Sequence, residues 1–234
     1  MAKKKSGAVE MQNAIKTLLA NIRFSSVDKP IKSIVMTSAV PNEGKSTISC
    51  ELARAMADSG KRVLLVDADM RRRNLASKIG VHPAHGVYAV LSGEVSFKEA
   101  VAPTSVPNLF FLDAEPHIPN PADILASQAF AKLVSRLEEI FDYVVFDMPP
   151  VGTFIDAAIL GSIVDGVVIT ARMGSVKRAD IYDAVEQLRK ADCNIIGVCA
   201  NFCEMTKSDY YYSYYYSKGK NKEKKAKASF AEEG

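Results

Sequence analysis

A doubly wound α/β domain, with a mostly parallel sheet and helices on both faces, is the fold this sequence predicts, and two observations predict it. Short and almost continuously apolar runs such as Val63–Val66, Tyr143–Phe146 and Val167–Thr170 alternate with longer segments of helical periodicity. A strand buried on both faces reads as such a run rather than as a polar–apolar alternation. One strand-to-helix junction also carries Gly44-Lys45-Ser46-Thr47, a phosphate-loop sequence in the place where such loops work.

The elements follow in order. Met11, Ile15, Leu18, Leu19 and Ile22 recur at helical spacing and predict an amphipathic helix over Val9–Phe24, with Pro30 closing the linker behind it. The run Ile31–Thr37 predicts a strand, and a helix then reaches Ala57 and stops near Gly60. Val63–Val66 is a strand ending at Asp67. Short helices are expected around Val87–Leu91 and Phe97–Ala100, with a strand at Leu109–Leu112. Pro116, Pro119 and Pro121 read as a loop before a helix from about Ser127 to Ile140. Tyr143–Phe146 is a strand that ends at Asp147 and is stopped by Pro149-Pro150. Val167–Thr170, a helix over Arg178–Lys190 and a strand over Ile195–Asn201 complete the pattern. The chain divides into an N-terminal helix and linker (1–30), a phosphate-loop domain (31–205) and a tail (206–234).

The tail is the most unusual segment. Tyr210, Tyr211, Tyr212, Tyr214, Tyr215 and Tyr216 put six phenols into seven residues, a run with neither strand nor helix period. Lys218, Lys220, Lys222, Lys224, Lys225 and Lys227 follow, and against Glu223, Glu232 and Glu233 they give this end about +3 of charge. So polar a segment is expected to be disordered. With Lys3–Lys5 at the other end, these lysines either solubilise the termini or draw the chain to an anionic surface or acidic partner, at about 1 kcal/mol per well-placed lysine. The whole chain carries only +3, with 24% charged and 48% hydrophobic residues, ordinary values for a globular domain; no nucleic-acid partner is expected. Cys50, Cys193, Cys199 and Cys203 have no zinc spacing, and Cys50 reads as core. Neither a signal peptide nor an apolar run near 18 residues is found, so a cytosolic protein is expected.

Candidate chemistry gathers at strand ends. Ala39, Val40, Pro41, Asn42, Glu43, Gly44, Lys45 and Ser46 fit G-x4-G-K-[ST] with alanine for the first glycine. Backbone N–H groups of such a loop can wrap phosphate oxygens, assisted by the helix dipole. Lys45 is placed for the β- and γ-phosphates and the Ser46 hydroxyl for Mg²⁺, with Thr47 beside them. Asp67, Asp69 and Asp147 follow strands, where open α/β sheets bind ligands, and three carboxylates beside a phosphate loop suit Mg²⁺. Arg71 can pair with phosphate or with a carboxylate, whereas Arg72 and Arg73 read as a solvated face. A tail of phenols beside a nucleotide-binding loop is expected to meet a phosphoryl donor; a phenol has a pKa near 10 and needs a base, so one of Asp67 and Asp69 is expected to take its proton. The other, with Asp147, would hold Mg²⁺.

Three segments, Ser38–Thr47, Leu64–Arg71 and Val144–Pro150, together resemble the Walker A, A′ and B motifs of the bacterial tyrosine kinases of capsule and exopolysaccharide assembly. Asn120–Leu125 resembles another recurrent segment of that family, and the tyrosine cluster resembles its autophosphorylated tail. The resemblance covers nearly the whole chain. It implies an ATP- and Mg²⁺-dependent protein-tyrosine kinase whose subunits associate, phosphorylate one another's tails and regulate polysaccharide export. It further implies other tyrosine substrates, activation by the cytoplasmic tail of a membrane-anchored chain-length protein, and an adenine contact from Asn201. Two positions depart from the family. The E-x2-R-x2-R helix through which its subunits form a ring reads Asn13, Lys16 and Leu19 here, and Asn42 stands where glycine is common in the loop. The related ParA/MinD partitioning ATPases have a signature lysine where this chain has Val40, and a nucleotide-binding regulator without catalysis would not need the retained lysine and aspartates.

Overall fold

The computed structural model describes residues 2–26, 29–115 and 118–203. Seven strands form one sheet: β1 (Ser33–Ser38), β2 (Val63–Asp67), β3 (Ala102–Pro103), β4 (Leu109–Leu112), β5 (Tyr143–Asp147), β6 (Gly166–Arg172) and β7 (Ile195–Asn201). Their order is β3-β4-β2-β5-β1-β6-β7, parallel throughout except for the short edge strand β3. Every residue of β1, β2 and β5 is buried, as the continuous apolar runs require. The tyrosine cluster and basic tail lie outside the described residues.

Helices cover both faces. On one, α1 (Ala2–Phe24), α2 (Lys45–Asp58) and α3 (Leu75–Ile79) enclose a core that joins Ile15, Leu19 and Ile22 to Leu52, Met56, Met36 and Leu65. On the other, α4 (Val87–Ser92), α5 (Phe97–Ala100), α6 (Pro121–Leu125), α7 (Gln128–Ile140), α8 (Asp156–Gly161) and α9 (Arg178–Lys190) pack Phe130, Leu137, Leu160 and Leu188 on Val144, Phe146 and Ile169. Cys50 is half-buried against the first core, and burial pushes its thiol up to about 12.

Differences from the sequence reading have local causes. The first helix begins at Ala2, seven residues early, because Ala and Lys are good helix formers and extend a helix that the apolar stripe has docked. Pro121 opens α6 rather than ending a loop, since the first turn of a helix has no use for the missing N–H. Neither α3, α8 nor β3 has a sequence signal of its own. Leu19, at one position of the ring motif, is 6% exposed and belongs to the chain's own core.

Candidate active site at the carboxyl edge of the sheet

Strand order decides what meets at this edge. β5 lies between β1 and β2, so Asp147 pairs in register with Met36 on one side and with Asp67 on the other. The loop leaving β1 therefore runs directly over the two acidic strand ends. Asn42 and Gly44 take left-handed φ angles of 65° and 89°, the first tolerated by asparagine and the second by glycine. Gly44 precedes the 14-residue α2, whose N-terminus no side chain caps, and its carbonyl accepts from Thr47 N and Ile48 N. That leaves a helix dipole facing the loop, the usual setting for an anion.

Within the loop the side chains are tied down. Glu43 is buried, and its Oε2 accepts from Arg172 N at 2.5 Å. Asn201 Nδ2 donates to Glu43 O at 3.0 Å, while Asn201 Oδ1 accepts from Phe202 N at 2.9 Å. A Cβ on Gly44 would come within 2.2 Å of Asn201 Nδ2, and one on Gly152 within 2.3 Å of the Ala39 carbonyl oxygen. Glycine is thus required at both for the loop to sit between the β5 and β7 ends. Thr170 Oγ1 is the one buried side-chain polar atom without a partner among the described residues. It lies two residues before Arg172, on the α2 side of the sheet with Val168.

Lys45 Nζ stands 3.6 Å from both Asp69 Oδ2 and Asp147 Oδ2, and 3.4 Å from Ser46 Oγ, to which it donates. Side-chain exposures of 12% for Lys45, 7% for Asp69 and 1% for Asp147 make this a buried charge cluster rather than a surface pair. Burial raises the Asp147 carboxyl, opposed by the Lys45 charge and by hydroxyls of Ser46 and Ser49. Asp67 is fully buried; burial and then the Asp147 charge raise its carboxyl to about 7, against the backbone N–H groups of Leu75 and Asn74. Its Oδ1 accepts from Asp69 N and its Oδ2 from Asn74 N and Leu75 N, all at 3.1 Å. Asp67 therefore holds the turn that presents Asp69.

Two arginines are accounted for differently. Arg71 makes a bidentate pair with buried Asp156, at 2.8 and 3.0 Å, and lies 4.2 Å over the Phe154 ring, so of its two expected partners it has the carboxylate. Arg73 is exposed, as the solvated-face reading has it, yet its guanidinium also pairs with Asp113, because that buried carboxylate just past β4 needs a cation once the loop covers it. Arg72 is exposed. Sequence reasoning missed Asp113, Asp156, Ser49, Arg172 and the anchoring role of Glu43. None has a local pattern; an aspartate just past a strand run, as at Asp113, was the only available signal.

Among the described residues no group of three or more His, Cys, Asp or Glu side chains is arranged to hold a metal ion. Ser46 Oγ and Asp147 nevertheless suit Mg²⁺, which keeps several waters and takes oxygens from a nucleotide's phosphates. An uncapped helix N-terminus, two obligatory glycines and a lysine beside that hydroxyl fit a nucleoside triphosphate with its metal.

The sheet edge and loop together define a P-loop NTPase fold, and comparison with known proteins agrees. The AAA domain family matches residues 10–195. Tyrosine-protein kinase YwqD of Bacillus subtilis (strain 168) is 35% identical over 198 residues, 84% of each chain. Tyrosine-protein kinase CpsD of Streptococcus agalactiae is 35% identical over 193 residues, 82% of each chain. In structure, the chimerical protein CapA2B2 superimposes with a TM-score of 0.78 at 29% identity, covering 82% of this chain and 84% of the other. The cell division ATPase MinD of Pyrococcus furiosus shares the fold at a TM-score of 0.62 and 24% identity, over 71% and 70% of the two chains. This chain belongs to the AAA-domain family and, within it, to the bacterial tyrosine-protein kinases of the CpsD and YwqD type.

Proposed function

We propose that the protein is an ATP-dependent protein-tyrosine kinase that phosphorylates the tyrosine cluster Tyr210–Tyr216 of a second copy. The observation that carries this reading is Lys45 Nζ, poised 3.6 Å from both Asp69 and Asp147 at a phosphate loop, in a chain with six tyrosines in seven residues. Bound Mg·ATP would supply the phosphoryl group. Loop N–H groups from Gly44 to Thr47 bind the phosphates, Ser46 and Asp147 hold the metal, and Lys45 offsets charge on the transferring group. Asp69 is the better placed of the two candidate bases. Its Oδ2 faces Lys45, whereas Asp67 spends both oxygens on backbone N–H groups and has no exposed surface.

Membership of the family supports a role in polysaccharide assembly and export, with activation by the cytoplasmic tail of a membrane-anchored partner. Among the described residues no helix is long and apolar enough to cross a membrane, and the basic stretches Lys3–Lys5 and Lys218–Lys227 favour an anionic surface. Each phosphate added to the tail brings about −1.5 to −2 charges, which repel one another and the site's carboxylates, so phosphorylated copies separate. Anti-phosphotyrosine detection after incubation with Mg·ATP, with and without such a partner tail, tests the activity. Asp69→Asn should lower autophosphorylation by about 10²–10⁴-fold with ATP affinity retained. Normal rates in Asp69→Asn would remove Asp69 from its role, and no phosphotyrosine under any condition would remove the kinase reading.

A further inference from the structure

Phe202 is an anomaly beside the phosphate loop. It is 56% exposed, yet it is a bulky residue at a left-handed φ of 57°, a conformation that costs energy for any side chain with a Cβ. Three contacts hold it there. Its N–H donates to Asn201 Oδ1 at 2.9 Å, Met173 N donates to Asn201 O at 2.9 Å, and the Arg172 guanidinium lies 4.2 Å over its ring. Arg172 and Asn201 are register partners at the carboxyl ends of β6 and β7. The ring edge reaches the loop itself, with Cε2 3.4 Å from where a Cβ on Gly44 would stand. Phe24, 80% exposed at the end of α1, has no such placement, so exposure alone does not distinguish Phe202.

We propose that the open face of Phe202, backed by Arg172, is the platform on which the base of the bound nucleotide stacks. The inference rests on the nucleotide-binding reading above and adds to it the residues that hold the base. One face of the ring carries the guanidinium and one edge abuts the phosphate loop, while more than half of the residue's surface stays exposed. A base stacked there would extend an arginine–aromatic–aromatic column, since the guanidinium polarises the ring from behind. Asn201 is largely committed: its carbonyl accepts from Phe202 N and its amide donates to Glu43 O, so its part is to position the ring and the loop. Stacking reads the face of a base and not its edge, so ATP and GTP should benefit alike.

The test uses the full chain with Mg²⁺ and three probes: ATP, GTP and inorganic tripolyphosphate. Phe202→Ala should weaken ATP and GTP about 5- to 100-fold, the range for loss of one base–aromatic stack, and leave tripolyphosphate within about twofold. The sequence contains no tryptophan, so Phe202→Trp makes a single reporter that keeps the stack and reads it without an alanine variant having to fold. Its emission should be quenched by ATP and unmoved by tripolyphosphate. Unchanged ATP affinity in Phe202→Ala, equal losses for ATP and tripolyphosphate, or a Phe202→Trp emission indifferent to saturating ATP would each overturn the platform alone. A wild-type chain that binds neither ATP nor tripolyphosphate overturns the nucleotide reading itself.

Discussion

Replacing Lys45 by methionine keeps the length and apolar body of the side chain and removes one charge from a buried cluster. Two carboxylates lose their cation, each at 3.6 Å. At an effective dielectric near 20, each attraction is worth about 4–5 kcal/mol before desolvation. Lys45 itself no longer has to be desolvated, so the net loss is smaller, and removing one partner of a buried pair typically costs about 3–5 kcal/mol. Protonation sets the limit on this loss. The Lys45 charge is what opposes the upward push of burial on Asp147, so without it that carboxyl rises further and can be neutralised by a proton. A carboxyl whose folded pKa is raised contributes stability that is present at low pH and lost as pH rises through the folded value. The gap between Lys45→Met and wild type should therefore open with pH, to about 2–4 kcal/mol at pH 8 and below about 1 kcal/mol at pH 5. Urea unfolding followed by circular dichroism, in phosphate-free buffer without nucleotide, measures it. A gap of the same size at both pH values would refute the claim that the Lys45 charge opposes the upward push on the Asp147 carboxyl.

The wild-type chain should itself be more stable at pH 5 than at pH 8 in the same buffers. Asp67, raised to about 7, keeps its proton in the folded state and is forced to give it up only as pH passes that value; at about 1.36 kcal/mol per pH unit, over the roughly two units between pH 5 and that value, the effect has a ceiling near 3 kcal/mol. Stability that rises between pH 5 and pH 8 would contradict this. Gly152→Ala should cost about 1–3 kcal/mol in unfolding and weaken ATP binding, because its Cβ meets a backbone oxygen of the phosphate loop that cannot rotate away; an unchanged melting temperature would refute it. Arg71→Gln should destabilise by about 1–3 kcal/mol by leaving Asp156 without its cation, a range reduced because Arg71 is one-third exposed. ATP affinity should stay within about twofold in that variant, and a tenfold loss would return Arg71 to the phosphates.

Much of this fold is written locally. The runs at Val63–Val66, Leu109–Leu112 and Tyr143–Phe146 became strands, and Phe97–Ala100 and Arg178–Lys190 became helices with the expected bounds. The weak places were short elements such as α3 and α8, whose five and six residues carry too little periodicity to stand out. At the site, the loop and its lysine were legible because a phosphate cradle depends on consecutive backbone angles, and Gly44-Lys45-Ser46 specifies those angles and donors in adjacent residues. Asp67, Asp69 and Asp147 were legible because strands end where their apolar runs end.

Which carboxylate meets which cation was not legible, and only the tertiary structure decided it. Arg71 finds Asp156 across 85 residues, the Glu43 carboxylate takes the backbone N–H of Arg172 across 129, and the Asn201 amide reaches the phosphate loop across 158. Each pairing follows from the strand order that puts β5 between β1 and β2 and β7 beside β6, which no single segment encodes. The same order separates the roles of two aspartates that look equivalent in the sequence. Asp67 is turned inward to backbone N–H groups and Asp69 outward to Lys45, because the chain between them must turn over the end of β5. The sequence alone determined most of the elements, the phosphate loop and the acidic strand ends, since all three depend on neighbours in the chain; the partners were left to tertiary packing, since a buried polar group takes whichever counterpart the topology brings within reach.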